Sequence, residues 1–197
     1  MSNVDALLLK IVVLGNSGAG KTSLVNRWIT GSHNKSITPT VGANHQKKTI
    51  EIDKKNVHLF IWDTAGQEQF QALTPLYTRS AACAIICASI TDNDSFESLG
   101  LWEELVYSSC ETPPPTILAV NKIDLASEKT LQNGYIEDKF SNQFDGLFFT
   151  SSITGEGVEE MFVHAAKLGV NYISQVSEND SKGIQDLSTT NKKSSCC

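Results

Sequence analysis

The sequence predicts an α/β fold whose mostly parallel sheet is covered by helices on both faces and carries one antiparallel edge strand, on three observations. Six short β-rich runs alternate with stretches of helical periodicity, the pattern of strands joined by helical crossovers. Two neighbouring stretches, Gln46–Ile52 and Asn56–Trp62, are separated only by Asp53, Lys54 and Lys55 and read as an antiparallel hairpin. Three loops of unusual composition, Gly15–Thr22, Asp63–Gly66 and Asn121–Asp124, each leave the carboxyl end of a strand, the edge at which such sheets hold ligands.

Taken in order, Leu7–Leu14 is an apolar run broken by the single Lys10, the signature of a buried strand. A helix over Lys21–Ile29 places Leu24, Val25, Trp28 and Ile29 on one stripe, and Gly31 is its natural stop. Ser32–Gly42 has little periodicity and reads as a loop, followed by the hairpin. Gln67–Arg79, polar with scattered apolar positions, predicts a weak, partly exposed helix, and Ala82–Ile90 a buried strand. Phe96, Leu99, Trp102, Leu105 and Val106 define an amphipathic helix capped by Asp92 or Asp94 and ended by Pro113–Pro115. Thr116–Val120 is a strand, Lys129–Asn142 has ambiguous helical content, and Leu147–Thr150 is a short strand. Val158, Met161, Phe162, Ala165, Leu168 and Tyr172 mark a last amphipathic helix. From Ser177 the only large aliphatics are Ile184 and Leu187, too little apolar surface to offset the entropy of ordering, so disorder is expected.

At 197 residues and 40% hydrophobic content the chain accommodates one domain with a full core plus a short tail. A net charge of −6 argues against a general nucleic-acid binder, which carries a basic face. Its longest apolar run, Ala81–Ile90, is about half a membrane-spanning helix, and no signal-peptide pattern opens the chain, so a cytosolic protein is expected. Cys83, Cys87 and Cys110 read as buried or partly buried thiols; five cysteines without ligand spacing give neither a disulfide framework nor a zinc site.

The chemistry lies in the strand-end loops. GNSGAGKT fits the phosphate-loop pattern at every fixed position, between a strand and a helix. In that context the backbone N–H groups of Ser17, Gly18, Ala19 and Gly20 and the helix start at Thr22 and Ser23 converge on an anion. Lys21 supplies charge near the outer phosphates, and the Thr22 hydroxyl faces Mg²⁺. Asp63 ends a strand and suits Mg²⁺, directly or through water, while the Gly66 N–H approaches a terminal phosphate. Gln67, next in the chain, has an amide able to orient an attacking water. Asn121, Lys122 and Asp124 form the third loop: a carboxylate accepts from the N1–H and amine of guanine, an arrangement adenine does not offer, and the Lys122 stem lies along the base.

Together these motifs resemble the small GTPases over about residues 10–172, and IWDTAGQEQF, LTPLYTRSA and the final Cys196-Cys197 resemble the Rab branch. The resemblance implies a P-loop NTPase small-G-domain with a six-stranded sheet over residues 1–175 and a disordered hypervariable tail over 176–197. It makes Thr40, in TPTVG, the loop threonine that caps Mg²⁺ and senses the third phosphate; residue chemistry alone leaves Thr38 as a rival. It implies two nucleotide-dependent switch segments, near residues 32–45 and 66–79, and a slow hydrolysis of GTP to GDP and phosphate.

His33 stands where relatives place Phe or Tyr against the guanine, and His45 replaces a Phe beside Trp62 and Tyr77, an effector-reading aromatic surface in the family. Gln69 replaces a common Arg. Ser151, Ser152 and Ile153 stand where relatives read Ser-Ala-Lys, which keeps the backbone contact to the guanine oxygen and loses the lysine's packing. Cys196 and Cys197 resemble a double-geranylgeranyl terminus, with only Lys192 and Lys193 as nearby bases. The implied partners are guanine nucleotide, an exchange factor, a GTPase-activating protein, effectors, an escort protein and a dissociation inhibitor. The implied place is the cytoplasmic face of an endomembrane with a cytosolic pool, as a monomer binding no nucleic acid. Two other classes are set beside this reading. A nucleotide-dependent binding protein with negligible hydrolysis is opposed by Gln67, and an ATP-using P-loop enzyme by Asp124.

Overall fold

A computed structural model of the chain describes residues 6–33, 40–66, 73–128 and 131–190. Its elements run β1 (Leu7–Leu14), α1 (Lys21–Thr30), β2 (Ala43–Ile52), β3 (Lys55–Thr64), α2 (Thr74–Thr78), β4 (Cys83–Ser89), α3 (Asn93–Glu97) and α4 (Leu99–Tyr107). They continue with β5 (Thr116–Asn121), a 3-10 turn (Ile123–Glu128), α5 (Asn133–Phe140), β6 (Gly146–Phe149) and α6 (Val158–Thr190). The six strands form one sheet in the order β2-β3-β1-β4-β5-β6, with β2 antiparallel to β3 and every other pair parallel. This is the predicted small-G-domain sheet.

The sheet divides the core in two because alternate residues of each strand face opposite sides. Leu9, Ile11 and Val13 of β1 join Leu59, Ile61, Ile85 and Ile117 under α1 and α6, where Trp28 stacks on Phe162 with ring centroids 4.3 Å apart. Val12, Leu14, Ile86 and Leu118 face the other way, against Phe96, Leu99, Trp102, Val106, Ile136 and Phe140 from α3, α4 and α5. Each such buried aliphatic contributes about 1.5–3 kcal/mol relative to exposure.

The structure departs from the sequence reading at several boundaries. The hairpin strands are longer than their alternation suggests, because Asp53 and Lys54 both take positive φ, 49° and 63°, and close a two-residue turn that leaves Lys55 paired with Ile52. The single helix expected over Phe96–Val106 is two: α3 and α4 meet at Ser98, whose N–H bonds back to the Asp94 and Phe96 carbonyls. Asp92 is the cap, accepting from the Asp94 N–H. The ambiguous segment contains α5, held by Ile136 and Phe140 one turn apart on its buried face. Of the weak helix expected over 67–79, residues 67–72 lie outside the described residues and α2 is the remainder. Finally, α6 runs on to Thr190, through the segment expected to be disordered from Ser177. Among the described side chains those of α6 packed on the core run as far as Ile173, and no proline follows to break the backbone pattern.

Candidate functional site

Four loops at the carboxyl edge of the sheet meet around one end of α1. The first, between β1 and α1, folds as it does because Gly15, Gly18 and Gly20 take φ of 129°, 80° and 94°. Two are also sterically required: a Cβ on Gly15 would strike the Cys87 carbonyl, and one on Gly20 the Asn121 amide. α1 starts without a side-chain cap or an acidic residue in its first turn, so its N-terminal N–H groups and positive dipole end are left to an anion. Ser17 and Gly18 are exposed at the tip and Ala19 is buried beneath them.

Lys21 lies against this loop, nearly buried, its Nζ donating to the Gly15 and Asn16 carbonyls at 2.8 Å each. Burial lowers its pKa, opposed by the nearby Cys87 and Asp63. The end of β3 supplies Asp63, 1% exposed, whose carboxyl burial pushes above its ordinary value while Thr22, Lys21 and Thr40 pull it back. The Thr22 and Thr40 hydroxyls lie 2.9 Å apart, and Thr40 donates to Asp63 Oδ2 at 3.5 Å. Asp63 Oδ1 is buried with no hydrogen-bond partner among the described residues. No group of three His, Cys, Asp or Glu side chains gathers there or elsewhere among them. One orphaned carboxylate oxygen beside two hydroxyls fits a hard cation that takes its remaining ligands from phosphate and water, as Mg²⁺ does. Gly66 is packed so closely that a Cβ would collide with the Gly15 carbonyl and Lys21 Nζ.

The other half of the edge is tied to the first through Asn121. Its Nδ2 donates to the Ala19 carbonyl at 3.0 Å, and its Oδ1 accepts from the Ser152 N–H at 3.3 Å and the Thr150 hydroxyl at 3.4 Å. Lys122 turns through a positive φ of 67°, with its Cε near Gly20. Asp124 is exposed, and one of its oxygens accepts from the Ser151 hydroxyl, which in turn accepts from the Ile153 and Thr154 N–H groups. Ser151 and Ser152 are buried and Ile153 is half exposed. Arg27 donates to the Thr154 carbonyl, joining α1 to the same loop. His33 is half-buried, with Nδ1 unpartnered among the described residues. The structure thus brings together Ser17–Ser23, Thr40, Asp63 and Gly66, and separately Asn121, Lys122, Asp124 and Ser151–Ile153. Gln67, Gln69, Thr38, Cys196 and Cys197 lie outside the described residues.

Sequence reasoning passed over Asn16. Its Oδ1 accepts from the Trp102 indole at 2.8 Å, and its Nδ2 donates to Ser98 Oγ at 3.0 Å and the Asp94 carbonyl at 3.3 Å. A polar side chain at a free position of the loop pattern was the only local signal.

The edge defines a P-loop nucleotide-binding protein with a buried carboxylate beside two hydroxyls and a second strand-end loop held to the phosphate loop. A family model described as "Ras family" matches residues 10–170, and the chain belongs to that family. Its relatives are Rab and Ypt GTPases. The chain is 37% identical to Ras-related protein Rab-30 of Homo sapiens over 87% of its length and 83% of that protein's. It is 34% identical to Ras-related protein RabL of Dictyostelium discoideum, covering 87% and 88%. It is 35% identical to the Ypt/Rab-type GTPase ypt7 of Schizosaccharomyces pombe, covering 83% and 82%.

Proposed function

We propose that this chain is a membrane-anchored small GTPase that cycles between GDP- and GTP-bound states, hydrolyses GTP to GDP and phosphate, and regulates vesicle trafficking by recruiting effectors. The observation that carries the reading is the convergence at one sheet edge of the glycine loop with Lys21, the orphaned Asp63 carboxylate beside two threonine hydroxyls, and Asp124 held by Ser151.

Each residue has a physical role. The loop amides from Ser17 to Ser23 and the Lys21 ammonium hold the phosphates. Thr22, Thr40 and Asp63 would hold Mg²⁺, which supplies charge neutralisation on the outer phosphate oxygens when bound. Gly66 lies against the loop with no room for a side chain, and its N–H would meet the third phosphate. Gln67 orients water in line with that phosphate; without a supplied arginine the rate is slow, on the order of 10⁻⁴ to 10⁻² per second as in related switches. Asp124 reads guanine, Lys122 and His33 pack on the base, Ser151, Ser152 and Ile153 present backbone to it, and Asn121 fixes the two halves relative to each other. Geranylgeranyl groups on Cys196 and Cys197, in a tail spanning 176–197, hold the G domain of 1–175 on the cytoplasmic face of an endomembrane. Two chains make such anchoring stable. No helix among the described residues is long and apolar enough to cross a membrane. An exchange factor, an activating protein, an escort protein and a dissociation inhibitor complete the cycle.

The test is Asp124→Asn. The variant should lose guanine nucleotide affinity and gain xanthine nucleotide affinity, since the amide donates where the carboxylate accepts. Unchanged base preference removes the guanine assignment. Single-turnover GTP hydrolysis by Gln67→Leu should fall while nucleotide is retained; an unchanged rate removes the role given to Gln67.

A further inference from the structure

α1 meets the phosphate loop at one end and the loop after β6 at the other. Lys21 and Thr22 open the helix, and Arg27 lies in its last turn, about 9 Å further along the axis. The Arg27 Nη2 donates to the Thr154 carbonyl at 2.5 Å, across 127 positions of sequence. Gly155, next in the chain, takes a φ of 92° and faces the same side chain. A Cβ built on it would lie 2.6 Å from Nη2, 2.8 Å from Nε and 3.1 Å from Cζ, so the guanidinium is laid against the glycine over several of its atoms. Both backbone groups of Thr154 are engaged. Its N–H donates to the Ser151 hydroxyl at 3.0 Å, that hydroxyl donates to Asp124, and its carbonyl accepts from Arg27. An unbroken chain of hydrogen bonds thus runs Arg27–Thr154–Ser151–Asp124.

The same loop is tied to the phosphate loop from within by buried Asn121, through the Ser152 N–H and the Ala19 carbonyl. Arg27 is a second tie, made at the exposed side and from the other end of α1. A basic residue in the last turn also suits the negative end of the helix dipole. That role needs only charge. It explains neither the glycine laid against the guanidinium nor the acceptor that Arg27 takes. Arg27 shares a cleft of about 420 Å³ with Glu159, yet that carboxylate pairs with Lys48 at 3.6 Å while Arg27 holds a backbone carbonyl.

We infer that Arg27 is a positioning residue for guanine recognition: by holding the Thr154 carbonyl it sets the Ser151–Ile153 loop, and through Ser151 the Asp124 carboxylate, relative to the helix that carries the phosphate end. The inference rests on the proposed assignment of that loop and of Asp124 to the base. Arg27 acts through Thr154 and not on the nucleotide itself. Without it the loop tip is held only from the base side, so contacts to the base loosen while the phosphate contacts at the start of α1 stay. Arginine suits the task because a planar fork can donate and lie against a glycine together, which a lysine ammonium does not reproduce.

The experiment titrates the full-length, nucleotide-stripped chain with GDP and with ADP in the presence of Mg²⁺, for the parent, Arg27→Ala and Arg27→Lys. ADP reports on the phosphate end alone. Arg27→Ala should lose about tenfold in GDP affinity and keep its ADP affinity, so that the preference for guanine falls by the same factor. Arg27→Lys keeps the charge at the helix end without the fork and should recover only part of that loss. Equal losses for GDP and ADP, or full recovery by lysine, would assign Arg27 to the stability of α1 and overturn the inference, and so would an unchanged GDP affinity in Arg27→Ala. A parent chain that binds ADP as well as GDP would overturn the guanine reading and the inference with it, and only that outcome touches the guanine reading.

Discussion

The indole N–H of Trp102 donates to the side-chain oxygen of Asn16 across 2.8 Å, joining the buried face of α4 to the second residue of the phosphate loop. Asn16 also presents the backbone carbonyl that accepts from Lys21 and from the Ala19 N–H, so the loop's shape and its ammonium are both held from α4. Trp102→Phe removes the donor and keeps an aromatic ring in the buried site, though a smaller one. It should cost about 1 kcal/mol of stability and speed nucleotide release several-fold. Asn16→Ala also removes the bonds to Ser98 Oγ and the Asp94 carbonyl and should cost more, and the double variant should cost less than the sum of the two singles, since the Trp102–Asn16 bond is deleted in both. Denaturant melts and dissociation of a fluorescent guanine nucleotide check this; additive effects would separate the two residues.

In the proposed cycle Gly66 meets the third phosphate, and its surroundings leave no space for a methyl group. Gly66→Ala should push the β3 end away from the loop. Overpacking of this kind costs about 1–3 kcal/mol, so GTP affinity should fall roughly ten- to a hundredfold relative to GDP affinity, which does not need that approach. Equal losses for both nucleotides would place Gly66 in general loop support.

Burial raises the Asp63 pKa above its ordinary 3.8. Between that ordinary value and the raised one the folded, nucleotide-free chain holds a proton that the unfolded chain has lost, so its stability falls as pH rises through the window. Asp63→Asn should therefore stabilise the stripped protein at neutral pH, with the gain shrinking towards acid, while abolishing the tightening of nucleotide binding by Mg²⁺. Melts of the chelator-treated proteins across that range supply the check; parallel curves would contradict it.

Thiol chemistry separates the core from the tail. Cys87 is buried behind the phosphate loop and pushed up to about 12, and Cys83 is raised further, both by desolvation. Neither should react with iodoacetamide in the native state, whereas Cys196 and Cys197 of unlipidated recombinant protein should. Chain isolated from eukaryotic membranes should carry two isoprenoid masses on its last peptide. Rapid native labelling of Cys87 would show that the loop opens.

How much was legible in the sequence follows the range of the interaction. The alternation of strands and helices, the hairpin and the strand-end loops were readable because each depends on spacing within a few residues: the alternation of Gln46–Ile52, the fixed positions of GNSGAGKT, the tetrapeptide ending at Asp124. The break at Ser98 was not, because the apolar period from Phe96 to Val106 runs unbroken across it while Ser98 Oγ back-bonds to the Asp94 carbonyl. Asn16 and Trp102 are 86 residues apart, and a tryptophan on an apolar stripe reads as core whether or not its N–H has work elsewhere. Asn121 was legible as a base-side residue but not as the strut between loops. The choice of Thr40 over Thr38 rested on resemblance, and the Thr40 hydroxyl now has Thr22 and Asp63 as neighbours.

The central claim is that this edge holds a guanine nucleotide, and the nucleotide that the protein carries tests it most directly. Full-length chain purified gently in the presence of Mg²⁺, denatured with acid and analysed by chromatography, should release GDP or GTP at near one equivalent per chain. Adenine nucleotide, or no nucleotide from protein that remains folded, would contradict the account.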